Sequence, residues 1–125
     1  MSTILVADDE RLLRRALQRI LERAGYQVLL AEDGEAALTL FQRNIEQIEL
    51  VLLDINMPKR CGVETMRAIK ALSPNTTVLL ASGECQREVR QRCLDLTLDG
   101  LVSKPFSRKE LVAEVQRFLS QGSDI

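Results

Sequence analysis

The hydrophobic positions of this chain fall into two alternating kinds of segment. Short unbroken runs at residues 4–7, 28–31, 50–53, 78–81 and 101–102 are made of Val, Leu, Ile and Ala, and most end abruptly on polar residues. Runs of this length, apolar on both sides of the chain, predict strands buried on both faces of a sheet. Between the first two, Leu13, Ala16, Leu17, Ile20, Leu21 and Ala24 recur at helical spacing with charged residues among them, and Gly25 ends the pattern. Ala36, Ala37, Leu40 and Phe41 mark a second helix after an Asp33-Gly34 turn, and Val63, Met66, Ile69 and Leu72 a third that stops at Ser73-Pro74. A charged helix is predicted over residues 84–96, with a thin inner stripe of Cys85, Val89, Cys93 and Leu96. Ser107 with Glu110 three residues on forms a capping box that opens a last helix, whose stripe is Leu111, Val115, Phe118 and Leu119.

Strand and helix alternate five times, the signature of parallel crossovers. The fold class is therefore α/β, a doubly wound five-stranded parallel sheet with helices on both faces. The 125 residues make one domain, with a core over about residues 3–120 and a short tail at 121–125. The six residues after Leu119 are too few for an output domain within this chain.

Composition acts mainly by exclusion. A net charge of −1 offers no basic field to hold nucleic acid. No run reaches the ~18 apolar residues of a membrane span. The first strand begins at Thr3, which leaves no room for a secretory signal, so a cytoplasmic location is expected. Cys61, Cys85 and Cys93 lack paired spacing, which fits a reducing compartment. The chain has no histidine, which removes Ser-His and Cys-His nucleophile pairs and His-ligated zinc.

The remaining chemistry gathers at the strand ends. Asp8 and Asp9 follow the first strand, Asp54 the third, Ser82 the fourth and Lys104 the fifth. In an open α/β sheet the carboxyl ends of parallel strands share one edge, where ligands bind. Singly, an Asp after a strand is usually a helix cap, Ser-Gly a turn and Lys a solvated charge. Together they place three carboxylates, a hydroxyl and an ammonium at one edge. Clustered carboxylates repel, and a hard divalent ion such as Mg²⁺ relieves the repulsion. Lysine and serine suit phosphoryl oxygens, and a carboxylate can itself be a nucleophile that forms an acyl phosphate.

Four segments, Val6-Ala7-Asp8-Asp9-Glu10, Asp54-Ile55-Asn56-Met57-Pro58 with Gly62, Ser82-Gly83 and Lys104-Pro105-Phe106, resemble the receiver domain of two-component response regulators, the chemotaxis regulator among them. The resemblance covers about residues 3–120. It implies a (βα)5 flavodoxin-like fold with strand order 2-1-3-4-5. It implies Asp54 as phosphoacceptor, Lys104 and Ser82 on the phosphoryl oxygens, and Mg²⁺ held by Asp9, Asp54 and the Asn56 backbone carbonyl, with Asp8 acting through water. The implied donor is a phosphohistidine on a histidine kinase or histidine phosphotransfer protein. Such a domain is a signalling switch that catalyses its own phosphorylation and dephosphorylation, not a turnover enzyme. Leu101 stands where the family usually carries Tyr or Phe, and Thr97 where it often carries Gly.

Two rival functions share this fold. A binding module whose output ignores phosphorylation would not need the full set of Asp8, Asp9, Asp54, Ser82 and Lys104. A phosphohydrolase of the carboxylate-nucleophile type would want a second Asp two residues after Asp54, and Asn56 is there. Of the smaller signals, five arginines between Arg11 and Arg23 read first as a solvated face, while Leu13 and Phe106 are expected to touch the donor. Cys61 and Cys85 lie near the carboxylates, which oppose thiolate formation, so both are expected to be inert.

Overall fold

Five parallel strands, β1 (Thr3–Ala7), β2 (Gln27–Ala31), β3 (Ile48–Asp54), β4 (Thr77–Ser82) and β5 (Gly100–Ser103), form one sheet in the order β2-β1-β3-β4-β5. The computed structural model describes residues 2–93 and 99–119. Helices α1 (Arg11–Arg23), α2 (Gly34–Arg43), α3 (Gly62–Leu72), α4 (Gln86–Arg92) and α5 (Arg108–Leu119) connect the strands and complete the chain. The alternation, the fold class and the implied strand order are all as expected.

Strand pleating divides the core in two. Ile4, Val6, Leu50, Leu52 and Leu79 face α1 and α5, where they meet Leu17, Leu21, Leu111 and Val115. Leu5, Ala7, Val51, Leu53 and Leu80 face the other way and pack with Phe41, Met66, Ile69 and Val89. The central strands are therefore buried on both sides, as their unbroken apolar runs require.

The edges depart from that reading. In β2 only Ala31 is buried, and in β5 only Val102 is. Both strands have a neighbour on one side only. Apolar composition alone does not distinguish an edge strand from a central one. The helix stripes are also incompletely buried: Ala16 within α1 is exposed, and at the ends of α3 and α5 Leu72 is 46% exposed and Phe118 and Leu119 are half-buried.

Two helix starts differ from expectation. Asp33 is the N-cap of α2, and its carboxylate accepts the Ala36 N–H at 2.8 Å, so the Asp33-Gly34 pair is a helix cap more than a free turn. α4 begins two residues later than expected because Cys85 is its N-cap, and Cys93 is its C-cap. Cys85 is exposed and is not part of the inner stripe, whereas Val89 and Cys93 are buried. Leu96, Thr97 and the tail at 121–125 lie outside the described residues. The Ser107–Glu110 capping box forms as read, with reciprocal bonds of 2.9 and 3.1 Å. Among the described residues, no helix is long and apolar enough to cross a membrane.

Candidate functional site

The sheet register explains why distant residues meet. Ala7 at the end of β1 pairs with Leu53, so Asp8 emerges beside Asp54. Asp54 pairs with Ala81, which places Ser82 one step beyond it on the next strand. Ser82 pairs with Ser103, and its carbonyl accepts the Lys104 N–H at 2.8 Å. Five polar residues from four strands thus share one edge, as the topology predicts.

Carboxylate oxygens of Asp8, Asp9 and Asp54 lie within 4.8 Å of one another. Asp8 and Asp54 are buried and Asp9 is exposed, so the cluster opens to solvent on one side. Lys104 Nζ stands 3.3 Å from Asp54 Oδ1 and 3.4 Å from Asp8 Oδ2. One ammonium thus answers two buried carboxylates. The third, on Asp9, makes no ion pair among the described residues. Asp8 Oδ1 accepts the Glu10 N–H at 2.9 Å, and the Arg14 guanidinium donates to the Asp8 carbonyl at 2.8 Å, which fixes this turn from both sides.

Burial raises the pKa of Asp54 above the ordinary carboxylate value. Lys104 pulls it back down, and the neighbouring Asp8 charge pushes it up again. Burial works against the charge of Lys104, but the carboxylates of Asp8 and Asp54 outweigh it, and its pKa is raised. The first direction is set mainly by burial, and the second by the two carboxylates that share one ammonium.

Asp54 is held by its backbone. The Ile55 N–H donates to the Ala81 carbonyl, and the Gly62 N–H returns to the Ile55 carbonyl at 2.9 Å, which closes the loop between β3 and α3. A Cβ at Gly62 would stand 2.5 Å from the Asp54 carbonyl oxygen, so only glycine lets α3 begin this close. Asn56 is exposed, and the contact it makes with Asp54 is through its N–H, 3.4 Å from Oδ1.

Ser82 is 1% exposed, and its hydroxyl oxygen accepts the Glu84 N–H at 2.8 Å. The hydroxyl is thus bonded within its own loop and not to the carboxylates. The Glu84 carboxylate turns back to Arg92 at the far end of α4, at 3.3 and 3.4 Å. The sequence reading missed both contacts. A Ser followed two residues on by a backbone donor is a local turn signal that could have revealed the first. Nothing in the spacing marks Arg92 or Arg14. Leu101 is half-buried against the core. Leu13 and Phe106 line one groove of about 360 Å³ with Lys104 and Pro105, next to the carboxylates.

The comparisons agree with this geometry. A model of the response regulator receiver domain matches residues 4–116. The transcriptional regulatory protein CpxR of Escherichia coli K12 is 36% identical over 119 residues, which is 95% of this chain and 50% of that protein. The chain spans about half the length of the curated relatives it matches. Among solved structures, a response regulator receiver domain protein from Clostridium thermocellum superposes with a TM-score of 0.91 at 25% identity, covering 98% of each chain. CheY in the CheX-CheY-BeF3-Mg²⁺ complex from Borrelia burgdorferi gives 0.88 at 25% identity, over 94% of this chain and 89% of that one. With four strand-end motifs converging at one acidic edge and a family model covering nearly all of the described core, the chain belongs to the response regulator receiver domain family.

Proposed function

We propose that this receiver accepts a phosphoryl group on Asp54 from a phosphohistidine of a partner histidine kinase or phosphotransfer protein. The observation that carries this is the Asp8, Asp9 and Asp54 carboxylate cluster with Lys104 3.3 Å from Asp54 Oδ1. In the step, a carboxylate oxygen of Asp54 bonds to phosphorus while the P–N bond to the donor imidazole breaks, which yields an acyl phosphate. Asp54 must be ionised to attack, and Lys104 favours that form against the effect of burial. Lys104 can then pair with one oxygen of the transferred group, and Ser82 can donate to another once its hydroxyl leaves the Glu84 N–H.

The donor set suits Mg²⁺. Two oxygens on one Mg²⁺ at ~2.1 Å stand at most ~4.2 Å apart, and carboxylates within 4.8 Å reach that by small rotations. Asp9 and Asp54 would hold the ion with the Asn56 carbonyl, and Asp8 would hold it through water. When bound, it neutralises charge on the carboxylates and on the incoming phosphoryl oxygens. The groove lined by Leu13 and Phe106 opens beside the site and is where the donor would rest. As a switch, the domain would run its own phosphorylation and dephosphorylation and turn over no metabolite.

Incubation with Mg²⁺ and a small acyl phosphate, followed by intact mass measurement, tests the reading. A gain of one phosphate that disappears in Asp54→Ala is expected. An unmodified wild-type mass would leave a binding module, and steady release of phosphate from metabolites would point to a hydrolase.

A further inference from the structure

The loop between β3 and α3 holds a strained residue that the carboxylate site leaves unexplained. Lys59 has φ 67°, the one left-handed residue with a side chain among the described residues. The Arg60 N–H donates to the Pro58 carbonyl at 2.7 Å, so the strain sits in a three-residue γ-turn, a form that glycine would adopt at ease. Strain of this kind persists only where surrounding contacts hold it. Two contacts do so here, both with the start of α2. Lys59 Nζ stands 3.7 Å from Asp33 Oδ2, while Oδ1 of the same buried carboxylate accepts the Ala36 N–H at 2.8 Å. The Arg60 carbonyl lies against Gly34, where any side chain would collide with it. The Lys59 side chain is 61% exposed, and an ion pair that open and that long adds little stability. What the pair fixes is the place of the loop tip.

The loop is thus tied at both ends. Its root is closed by the Gly62 N–H on the Ile55 carbonyl, and its tip, Lys59 and Arg60, is fastened to α2. Asn56 lies between the two ties. It is exposed, and its N–H is 3.4 Å from Asp54 Oδ1, too long to hold it firmly. Met57 beside it is buried in the core. One buried side chain is a pivot, and a tie at the tip stops rotation about it. We propose that Lys59, seated on Asp33, is a positioning residue that holds the Asn56 carbonyl for Mg²⁺, so that the start of α2 helps to set the affinity for the metal. This rests on the metal site proposed above. Groups that hold a metal's ligands in place change its affinity by about tenfold or more when lost. The charge of Lys59 makes the claim sharp. A cation near a cation site opposes the metal by its field, so removing it for its charge alone would tighten binding. Removing it as a positioning residue weakens binding.

The experiment titrates Mg²⁺ into the full ¹⁵N-labelled chain and reads its Kd from amide shifts around Asp54. Lys59→Met should raise Kd about tenfold, and Lys59→Arg should leave it near the wild-type value. Lys59→Gly should raise Kd as well, while its thermal melt is no lower than that of the wild type, because glycine relieves the turn. Asp33→Asn keeps the helix cap and should also weaken Mg²⁺, with little further loss when combined with Lys59→Met, as befits partners in one contact. A Kd in Lys59→Met that is unchanged or lower would overturn the proposal and leave the metal site standing. So would a loss in Lys59→Arg as large as in Lys59→Met, or losses that simply add in the double variant. A wild-type chain whose Asp54 region does not respond to Mg²⁺, or responds equally in Asp54→Asn, would overturn the metal site and the proposal together.

Discussion

A half-buried lysine meets carboxylate at both ends of this sheet, and the two meetings differ. At the amino end, Lys70 Nζ lies 2.6 Å from Asp99 Oδ2 and donates to the Thr76 carbonyl at 2.7 Å. The same Asp99 oxygen accepts the Val78 N–H at 2.9 Å, so one cation and one anion satisfy each other and two backbone groups. At the carboxyl end, Lys104 is shared between Asp8 and Asp54 at 3.4 and 3.3 Å, with Asp9 left over. The first arrangement is balanced and short, and it ties α3, β4 and the start of β5 together. The second is longer and short of one positive charge or more. A pair that exists for stability can be completed within the chain, whereas a site that must receive a cation and an anion is left incomplete.

Breaking the balanced pair should cost the most. Asp99→Ala strands Lys70 and the Val78 N–H in a partly buried place, for a loss of about 2–3 kcal/mol by chemical denaturation. An effect under about 0.5 kcal/mol would show that the amino end is no more committed than a surface pair.

Completing the unbalanced site should have the opposite sign. At ten times its Kd, Mg²⁺ should raise stability by about 1.4 kcal/mol. The gain should persist in Asp99→Ala and vanish in Asp54→Asn, as read by thermal melts. A magnesium response that survives in Asp54→Asn would move the ion elsewhere.

Without metal, Asp54→Asn should itself stabilise the fold by on the order of 1 kcal/mol, the scale of one unit of pKa, because burial and then the Asp8 charge oppose the Asp54 carboxylate more than Lys104 favours it. The pH dependence has a definite sign. The Asp54 carboxyl has a higher pKa folded than unfolded, so the folded state binds more protons between the two values. Its contribution therefore falls as pH rises from the ordinary carboxylate value through the raised one, and it remains unfavourable above that. In Asp54→Asn this part of the profile should flatten.

The smallest stability effect belongs to Glu84 and Arg92, an exposed pair that should contribute under ~1 kcal/mol. α4 has only Val89 buried along its seven residues, so its amides should exchange before those of α1. The informative readout there is kinetic. Glu84→Leu and Asn56→Leu should each slow loss of the phosphoryl group, because apolar side chains would keep water from it. Unchanged decay in both would mean that neither side chain governs access.

The sequence made the two ends of the sheet unequally legible. Asp8, Asp9, Asp54, Ser82 and Lys104 each sit within two residues of the end of an apolar run, so alternation of strand and helix sufficed to bring them together. Asp99 and Lys70 are 29 residues apart and follow no such rule, and only the register of β4 with β5 makes them partners. The same cause hid the exposure of β2 and β5, since being at an edge is a property of strand order and not of composition. The start of α4 lies later than its stripe suggests because Cys85 looks apolar in sequence yet serves as its exposed cap. The orientation of the Ser82 hydroxyl depended on a backbone turn of two residues, a scale that periodicity does not resolve.

The closed loop at Gly62 has a mechanical meaning. With the Asp54 carbonyl against a residue that has no side chain, and the loop sealed by the Gly62 to Ile55 bond, the proposed phosphoacceptor sits on an anvil. The chain around it cannot lengthen, shorten or tilt without lifting α3. A phosphoryl group arriving there, as proposed, would draw its travel from the opposite jaw, the loop after β4, where the Ser82 hydroxyl holds the Glu84 N–H. The direction of the stroke is thus decided by stiffness before any phosphate arrives.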